Sequence, residues 1–381
     1  MKKILLSAIG LIVLFLVVAA VWIALVLSRL PDVALLKHYR PAAAAEVLDK
    51  DGLDLAQYYD RTFRLWVPIA NLPDIVVQAV VTAEDDTFFE HQGVNFRATW
   101  EALIHDLHKR KFARGGSTIT QQMIKNVLLS KEKTISRKVR EYVLARKAEE
   151  LLTKRRILEI YLNVVEWGEN VYGIEAASRT YLGKHASEMN PAEAAYLAGM
   201  LPNPRYYNPY KHPDKARDRQ ERVLFNMQQA KLISQDEYTV ALQTTITFQQ
   251  QGQHNDERSS SRGGPRPCYQ VVLEQVLLKE FGDQELYRSG RIIRTTIDKG
   301  LQMTLAREDA APGDAASPVI VVTQGGLVRA LVCDTNKERL VRDLFELPGS
   351  TYSGYEVSMV APELISSGKI VQNVPASDGP L

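Results

Sequence analysis

An almost wholly apolar stretch of the chain ends in two adjacent carboxylates. Residues 75–83 (IVVQAVVTA) lead directly into Glu84 and Asp85, and two phenylalanines and a histidine follow shortly afterwards. A carboxylate at the end of an apolar helix and beside aromatic rings is partly removed from water, which raises its pKa towards the range of a general base. Glu84 is therefore a candidate base, although a solvated helix end is the commoner setting for an isolated glutamate.

A second pattern marks a helix start that could bind an anion. Residues 114–122 read RGGSTITQQ, in which Thr118 and Gln121 have the spacing of a capping box. Two glycines before a helix leave backbone N–H groups approachable, and a helix N-terminus attracts negative charge. Lys125 follows Gln121 by four residues, on the same helix face. A plain capped helix after a turn fits the same residues.

A third pattern places one carboxylate between two cations. A helix is predicted to open near Thr134 or Ser136, and Arg137 and Lys138 precede Glu141 by four and three residues, so all three share one face. A carboxylate flanked by two cations stays ionised and can hold those cations in place. The alternative is a pair of surface ion pairs, which are common and weak.

The N-terminal segment predicts a membrane anchor. Residues 4–28 contain no charge, and a helix of that length spans about 37 Å, more than the ~30 Å hydrocarbon core of a bilayer. The apolar region of a cleaved signal peptide is shorter, about 7–15 residues, and a buried core helix would have a polar face. Lys2 and Lys3 precede the apolar run, so the N-terminus is expected in the cytoplasm and the remainder outside it.

Charge is distributed unevenly along the chain. The formal net charge is +2, but residues 105–156 contain 15 basic and five acidic residues, a local charge of +10. A tethered domain with such a cluster is suited to a phosphate-bearing partner near the bilayer, such as an anionic headgroup or a lipid-linked pyrophosphate. Nucleic acid is excluded by the expected location. Apolar residues at helical spacing over 96–107 predict either an interfacial amphipathic helix or a core-facing helix with a basic end.

The remaining pattern is mainly helical up to about residue 243 and mixed beyond it. A helix start is marked by Asn190, Pro191 and Glu193. Residues 249–267 are polar and rich in Gly, Pro and Ser, which indicates a linker. A strand is predicted over 290–298 and a hairpin over 319–333, so the tail is predicted to be a separate α/β piece. Two cysteines exclude a disulfide scaffold and a Cys-rich zinc site.

These patterns together resemble the signatures of the peptidoglycan glycosyltransferases. The resemblance runs in order through Glu84-Asp85-x-x-Phe88-x-x-His91-x-Gly93, Gly116–Gln122, Arg137-Lys138-x-x-Glu141, Lys154–Asn163 and Gly173–Lys184, and it ends with the stretch Glu193–Pro209. It covers about 130 residues. It implies a mainly α, lysozyme-like domain of two lobes over residues 40–248, with the 96–115 segment in the smaller, membrane-dipping lobe.

The resemblance also implies a reaction and its residues. The donor would be a glycan chain on undecaprenyl pyrophosphate and the acceptor lipid II, with Glu84 as the general base of an inverting transfer. Glu141 matches the second essential carboxylate, to which we assign the orientation of cations rather than proton donation. Glu159 is expected in a structural ion pair. The residues expected to bind substrate are Arg114, Ser117, Gln121, Lys125, Lys133, Arg137 and Lys138.

The tail, residues 268–381, resembles a shortened start of the transpeptidase of class A penicillin-binding proteins. Residues 347–353 (LPGSTYS) fall where the nucleophile signature Ser-x-x-Lys is expected, but Ser353 replaces the lysine that would activate Ser350. The sequence also ends at Leu381, before the later transpeptidase motifs of the family. We therefore expect neither transpeptidase activity nor acylation by penicillin.

Two other functions fit part of the same pattern. A lysozyme-like lytic enzyme would also use a glutamate, but it would need neither the cation cluster nor the anchor. A non-catalytic scaffold for cell-wall proteins fits the degraded tail, but not the intact Glu84 and Glu141. The expected partners are lipid II, the lipid-linked glycan, membrane lipids and other cell-wall synthesis proteins. A divalent cation, Mg²⁺ or Mn²⁺, could assist the pyrophosphate, although no cluster of ligands is dedicated to one.

Overall fold

The computed structural model describes residues 2–28, 30–95, 116–130, 132, 134–249, 259–261, 267–305, 319–325, 327–332, 355–360 and 370. The predicted interfacial helix over 96–107, Arg114 and Lys133 lie outside the described residues. The structure is mainly helical, which confirms the predicted fold class. Its helices are α1 (Lys2–Leu27), α2 (Asp74–Glu84), α3 (Ile119–Leu128), α4 (Ile135–Leu151), α5 (Lys154–Val164), α6 (Ile174–Leu182), α7 (Pro191–Met200), α8 (Pro213–Gln229), α9 (Gln235–Gln243), α10 (Cys268–Arg288) and α11 (Lys299–Leu305).

The strands that the structure describes are short. They are β1 (Ala45–Leu48), β2 (Asp54–Tyr59), β3 (Phe63–Arg64), β4 (Glu166–Gly168), β5 (Val171–Tyr172), β6 (Ser259–Ser261), β7 (Ile292–Arg294), β8 (Val319–Gln324), β9 (Leu327–Val332) and β10 (Tyr355–Val360). The chain divides into two compact units. The first contains Met1–Pro41, Val67–Glu169 and Lys184–Ile246, and the second contains Ala42–Trp66, Asn170–Gly183 and Thr247–Leu381.

Helix α1 is long and apolar enough to cross a membrane. Residues Ile9–Leu27 have a mean hydropathy of 3.1, and only 6% of this stretch is buried within the protein. A soluble helix with so little burial would leave a large apolar surface in water, whereas a bilayer solvates it. The helix packs against α4, and a 3-10 helix, Val33–His38, follows it and also contacts α4.

Local capping signals set the starts of the helices that surround the site. The capping box of Thr118 and Gln121 is present at the start of α3, and Thr134 caps α4 through the N–H of Arg137. Asn190 caps α7 with a complete capping box, as the sequence predicts. Each of these caps satisfies backbone N–H groups that have no partner inside the helix.

Helices α7 and α8 pack closely against each other and support α2. Gly199 of α7 allows this approach, because a Cβ there would lie 3.1 Å from the Arg219 Cβ and 3.2 Å from the Gln220 nitrogen of α8. α2 packs against both helices and buries Val76 and Val80. Packing against α7 and α8 therefore holds α2, which carries Glu84 at its C-terminal end, in place.

The second unit combines the tail with residues from far earlier in the chain. Its larger sheet has the order β6-β2-β1-β7, in which β1 pairs with β2 antiparallel and with β7 parallel. Tyr58 from β2 packs in one core with Tyr269 and Leu273 from α10. β8 and β9 form the predicted antiparallel hairpin, which extends to β10.

This arrangement differs from the contiguous tail expected from the sequence. β1 and β2 lie within residues 40–248, which the resemblance assigns to the glycosyltransferase domain, yet they supply the strands on which β7 and α10 pack. Strand β6 lies inside the predicted linker 249–267 and pairs with β2. The cause is strand pairing between segments about 240 residues apart in β1 and β7, which no local pattern reveals.

Candidate active site

Glu84 lies at the last turn of α2 with its side chain half-buried. Its Oε2 accepts a hydrogen bond of 2.7 Å from Gln122 Nε2 of α3. Burial raises the pKa of Glu84, while the Gln122 hydrogen bond and the positive charges of Arg219 and Lys125 act in the opposite direction. The other oxygen, Oε1, receives no hydrogen bond from the described part of the chain. The carboxylate is therefore held on one side and available on the other.

Asp85, the next residue, is fully engaged in the structure. Its Oδ2 accepts the N–H of Ile119 at 3.0 Å, and His91 Nε2–H donates to the same carboxylate at 3.0 Å. The N–H of Gly93 donates to His91 Nδ1 at 3.1 Å, which assigns the ring proton to Nε2. Asp85 thus ties the end of α2 to the start of α3, and His91 orients Asp85.

Gly93 lets this loop approach α4 closely. Its φ is +85°, and a Cβ there would lie 2.7 Å from the backbone oxygen of Ala145. Thr118 Oγ1 donates to the Gly93 carbonyl at 2.7 Å, and Lys154 Nζ donates to the His91 carbonyl at 2.6 Å. The loop after Glu84 is consequently fixed to α3, α4 and α5.

Glu141 is buried and holds a cluster of cations. Its side chain forms ion pairs with Arg137 and with Lys138, the latter at 3.0 Å between Nζ and Oε2. Lys138 Nζ also donates to Ser117 Oγ at 2.8 Å, at the start of α3. The three residues share one face of α4 as their spacing predicts, and they bring Ser117 into the same group.

Lys125 connects the two carboxylates electrostatically. Burial lowers the pKa of its ammonium group, the charges of Glu141 and Glu84 raise it, and those of Arg137 and Lys138 lower it further. Within the described residues it forms neither a hydrogen bond nor an ion pair. Lys125 is therefore a partly desolvated cation whose charge an anionic ligand would stabilise.

The structure separates two adjacent glutamines. Gln121 is buried in its own helix cap, where its Oε1 accepts the N–H of Thr118 at 3.1 Å. Gln122, which the sequence reasoning missed, contacts Glu84 and accepts a hydrogen bond from Tyr161 at 3.3 Å. The binding role expected of Gln121 stays a prediction, and its side chain serves the cap here.

Arg219 of α8 is the other group that sequence reasoning missed. Its Nε donates to the Gly199 carbonyl at 3.2 Å, its guanidinium lies 5.5 Å from the Tyr207 ring centroid, and burial lowers its pKa. Glu159 forms the expected ion pair, with Arg156. Among the described residues, no cluster of three or more His, Cys, Asp or Glu side chains could hold a metal ion.

The fold and site define a mainly helical protein with a half-buried glutamate on which the charges of Lys125 and Arg219 act. The model of the Transglycosylase family matches residues 51–228. The biosynthetic peptidoglycan transglycosylase of Nitrosomonas eutropha is 40% identical over 199 residues, covering 51% of this chain and 81% of that protein. The chain belongs to the transglycosylase family, which confirms the expected class of glycosyltransferase.

Larger relatives match beyond this domain. Penicillin-binding protein 1A of Aquifex aeolicus is 35% identical over 303 residues, covering 79% of this chain and 40% of that protein. The protein of the same name from Neisseria meningitidis is 33% identical over 301 residues, covering 78% and 36%. The chain therefore spans about 40% of the length of the penicillin-binding proteins it matches.

Proposed function

We propose that this chain is a membrane-anchored transglycosylase that polymerises lipid II into glycan strands and releases undecaprenyl pyrophosphate. The observation that carries the proposal is Glu84, held by Gln122 on one oxygen, with Lys125 acting electrostatically on both Glu84 and the Glu141 cluster. A base and an anion site side by side are what glycosyl transfer from a pyrophosphate requires. Membership of the transglycosylase family supports the same reaction.

Glu84 acts as the general base in this mechanism. Its Oε1 accepts the proton of the acceptor 4-hydroxyl as that oxygen attacks the anomeric carbon of the donor. The bond from the anomeric carbon to the pyrophosphate oxygen breaks, its electron pair leaves with the pyrophosphate, and the configuration inverts from α to β. Burial makes Glu84 a stronger base, while Gln122 and the nearby cations keep it ionised.

The cation cluster stabilises the leaving group. Pyrophosphate leaves as an anion, so neutralisation of its charge takes the place of a strong general acid. Lys125 is the first candidate for this contact, followed by Arg137 and Lys138, which Glu141 keeps in place. Ser117, at the start of α3, accepts a hydrogen bond from Lys138, and the N-terminus of α3 adds to the attraction for the pyrophosphate.

The membrane helix keeps the enzyme beside its substrate. Lys2 and Lys3 lie at the start of α1, and we assign the N-terminus to the cytoplasm and the catalytic domain to the outer face of the cytoplasmic membrane. Both substrates carry long lipid chains, so the reaction takes place at the bilayer surface. Anchoring confines enzyme and substrate to the same two-dimensional layer.

The experiment that tests the proposal is incubation of the purified chain with lipid II in detergent. We expect glycan polymer on a gel together with undecaprenyl pyrophosphate in the lipid fraction. In a parallel incubation with preformed glycan, shortening of the glycan without growth would indicate the lytic enzyme instead. No change in lipid II or in the glycan would indicate the scaffold.

We also propose that the tail does not catalyse the transpeptidase reaction. Ser350 and Ser353 lie outside the described residues, so the argument rests on the serine in place of the lysine. Incubation with a fluorescent penicillin should leave no covalent band on a denaturing gel. A labelled band that disappears on Ser350→Ala would overturn this expectation.

A further inference from the structure

A row of polar side chains on α5 holds the segment that leads into α2. Arg156, Glu159 and Asn163 follow one another at intervals of three and four residues, so they lie along one face of the helix. Asn163 accepts the N–H of Val67 at 2.9 Å and donates to its carbonyl at 2.8 Å. Glu159 Oε1 accepts the N–H of Ile69 at 3.2 Å. The backbone before α2 is therefore fixed at two successive points.

Arg156 extends this row to the segment that follows the apolar helix. Its Nη2 donates to the carbonyl of Tyr39 at 2.7 Å and to that of Leu36 at 3.3 Å, and its Nη1 pairs with Glu159. Both carbonyls lie at the end of the 3-10 helix Val33–His38, where the Leu36 carbonyl also accepts the N–H of Tyr39 at 3.4 Å and where a helix end favours a cation. A guanidinium presents its donors in a fixed fork, so it can hold both groups at once.

The Arg156–Glu159 ion pair consequently links the segment after the anchor to the segment before α2, in addition to the packing of α1 and the 3-10 helix against α4. α1 ends at Leu27, shortly before the 3-10 helix that Arg156 contacts, and Ile69 lies five residues before α2 begins. α2 then runs for 11 residues, about 16 Å, and ends at Glu84. A rotation of the anchor about this junction would tilt Glu84 with respect to the bilayer.

We propose that Arg156 is a positioning residue that sets the orientation of Glu84 and α2 relative to the membrane. This inference rests on the proposed function, because orientation has a catalytic consequence only for a substrate embedded in the bilayer. Arg155, its neighbour, is exposed and makes no hydrogen bond or ion pair with the described residues, so it provides a matched control for the loss of one positive charge.

The test compares the full chain in liposomes and in detergent micelles. In liposomes we expect Arg156→Ala to lower lipid II polymerisation about tenfold, because alanine removes the charged donor that holds the Tyr39 and Leu36 carbonyls and Glu159. In micelles no bilayer orients the enzyme relative to its substrate, so Arg156→Ala should polymerise lipid II at the wild-type rate. Arg155→Ala should match the wild type in both, and Arg156→Lys should be intermediate in liposomes, because an ammonium cannot reproduce the fork.

A second measurement reads the orientation without relying on activity. A fluorescent amino acid placed at the exposed residue Asn226 reports its distance from acceptor lipids in the bilayer by energy transfer. Arg156→Ala should broaden the distribution of that distance, and Arg155→Ala should not. An equal loss of activity in liposomes and micelles, or an unchanged distance distribution, would overturn the inference. A wild-type chain that does not polymerise lipid II would refute the proposed function and leave the energy-transfer test intact.

Discussion

Replacing Gln122 by methionine should shift the pH dependence of the reaction. The side chain keeps its length but loses the donor that lies 2.7 Å from Glu84 Oε2. A hydrogen bond to a charged group contributes about 1.5–3 kcal/mol, and one pKa unit corresponds to about 1.4 kcal/mol. Since Glu84 is half-buried, water replaces part of the lost bond. We therefore expect the pKa of Glu84 to rise by about one unit, the lower end of that range.

The assay is the initial rate of lipid II polymerisation in detergent as a function of pH. A higher pKa keeps the base protonated to a higher pH, so the acid limb should move upwards and the rate should recover at alkaline pH. Tyr161→Phe removes only the donor to Gln122 and should shift the limb less. Asn126→Met, an exposed change on the same helix, should have no effect. A loss that is the same at every pH, or a limb that moves to lower pH, would refute the role of Gln122.

Three further predictions concern charge and packing at the site. Glu84→Gln should raise the unfolding temperature at neutral pH, because burial penalises the ionised form; the gain should vanish as pH falls below the raised pKa of Glu84. Lys125→Met should raise KM for the donor about tenfold and abolish an alkaline limb that lies below the ordinary lysine pKa. Gly93→Ala should lower the free energy of unfolding by about 2 kcal/mol or more, measured by thermal unfolding, since its Cβ would meet the backbone of Ala145. Gly282→Ala, which is also at positive φ but in open space, should lower it less.

Features set by neighbours in sequence could be predicted well. The caps of α3, α4 and α7 depend on residues within one helical turn, and Glu141 meets Arg137 and Lys138 because the spacing of a helix dictates it. The β8–β9 hairpin follows from two β-rich runs on either side of a Gly-Gly pair in the sequence. In each instance a local interaction is sufficient to fix the geometry.

Features set by helix orientation could not be predicted in this way. Gln121 and Gln122 differ by about 100° around α3, so the one that faces Glu84 depends on how α3 crosses α2. Gln121 forms the helix cap with Thr118, and Gln122 is the glutamine that donates to Glu84. Arg219 reaches the region of Glu84 only because Gly199 allows α7 and α8 to approach closely.

The pairing of distant strands was equally inaccessible. β1 and β2 carry a weak local signal, and β7, which pairs with β1, lies about 240 residues further along the chain. Sequence periodicity identifies a strand but not its neighbour in the sheet. Residues 42–66 therefore belong with the tail in the second unit, although they precede the catalytic helices in sequence.

The central claim is that Glu84 is the base of the polymerisation reaction. The most direct measurement compares initial rates of lipid II polymerisation by the wild type, Glu84→Gln and the exposed control Glu90→Gln in detergent. General base catalysis contributes about 10²–10⁴-fold, so Glu84→Gln should lose at least about 100-fold while Glu90→Gln keeps the wild-type rate. Polymerisation by Glu84→Gln at close to the wild-type rate would contradict the account.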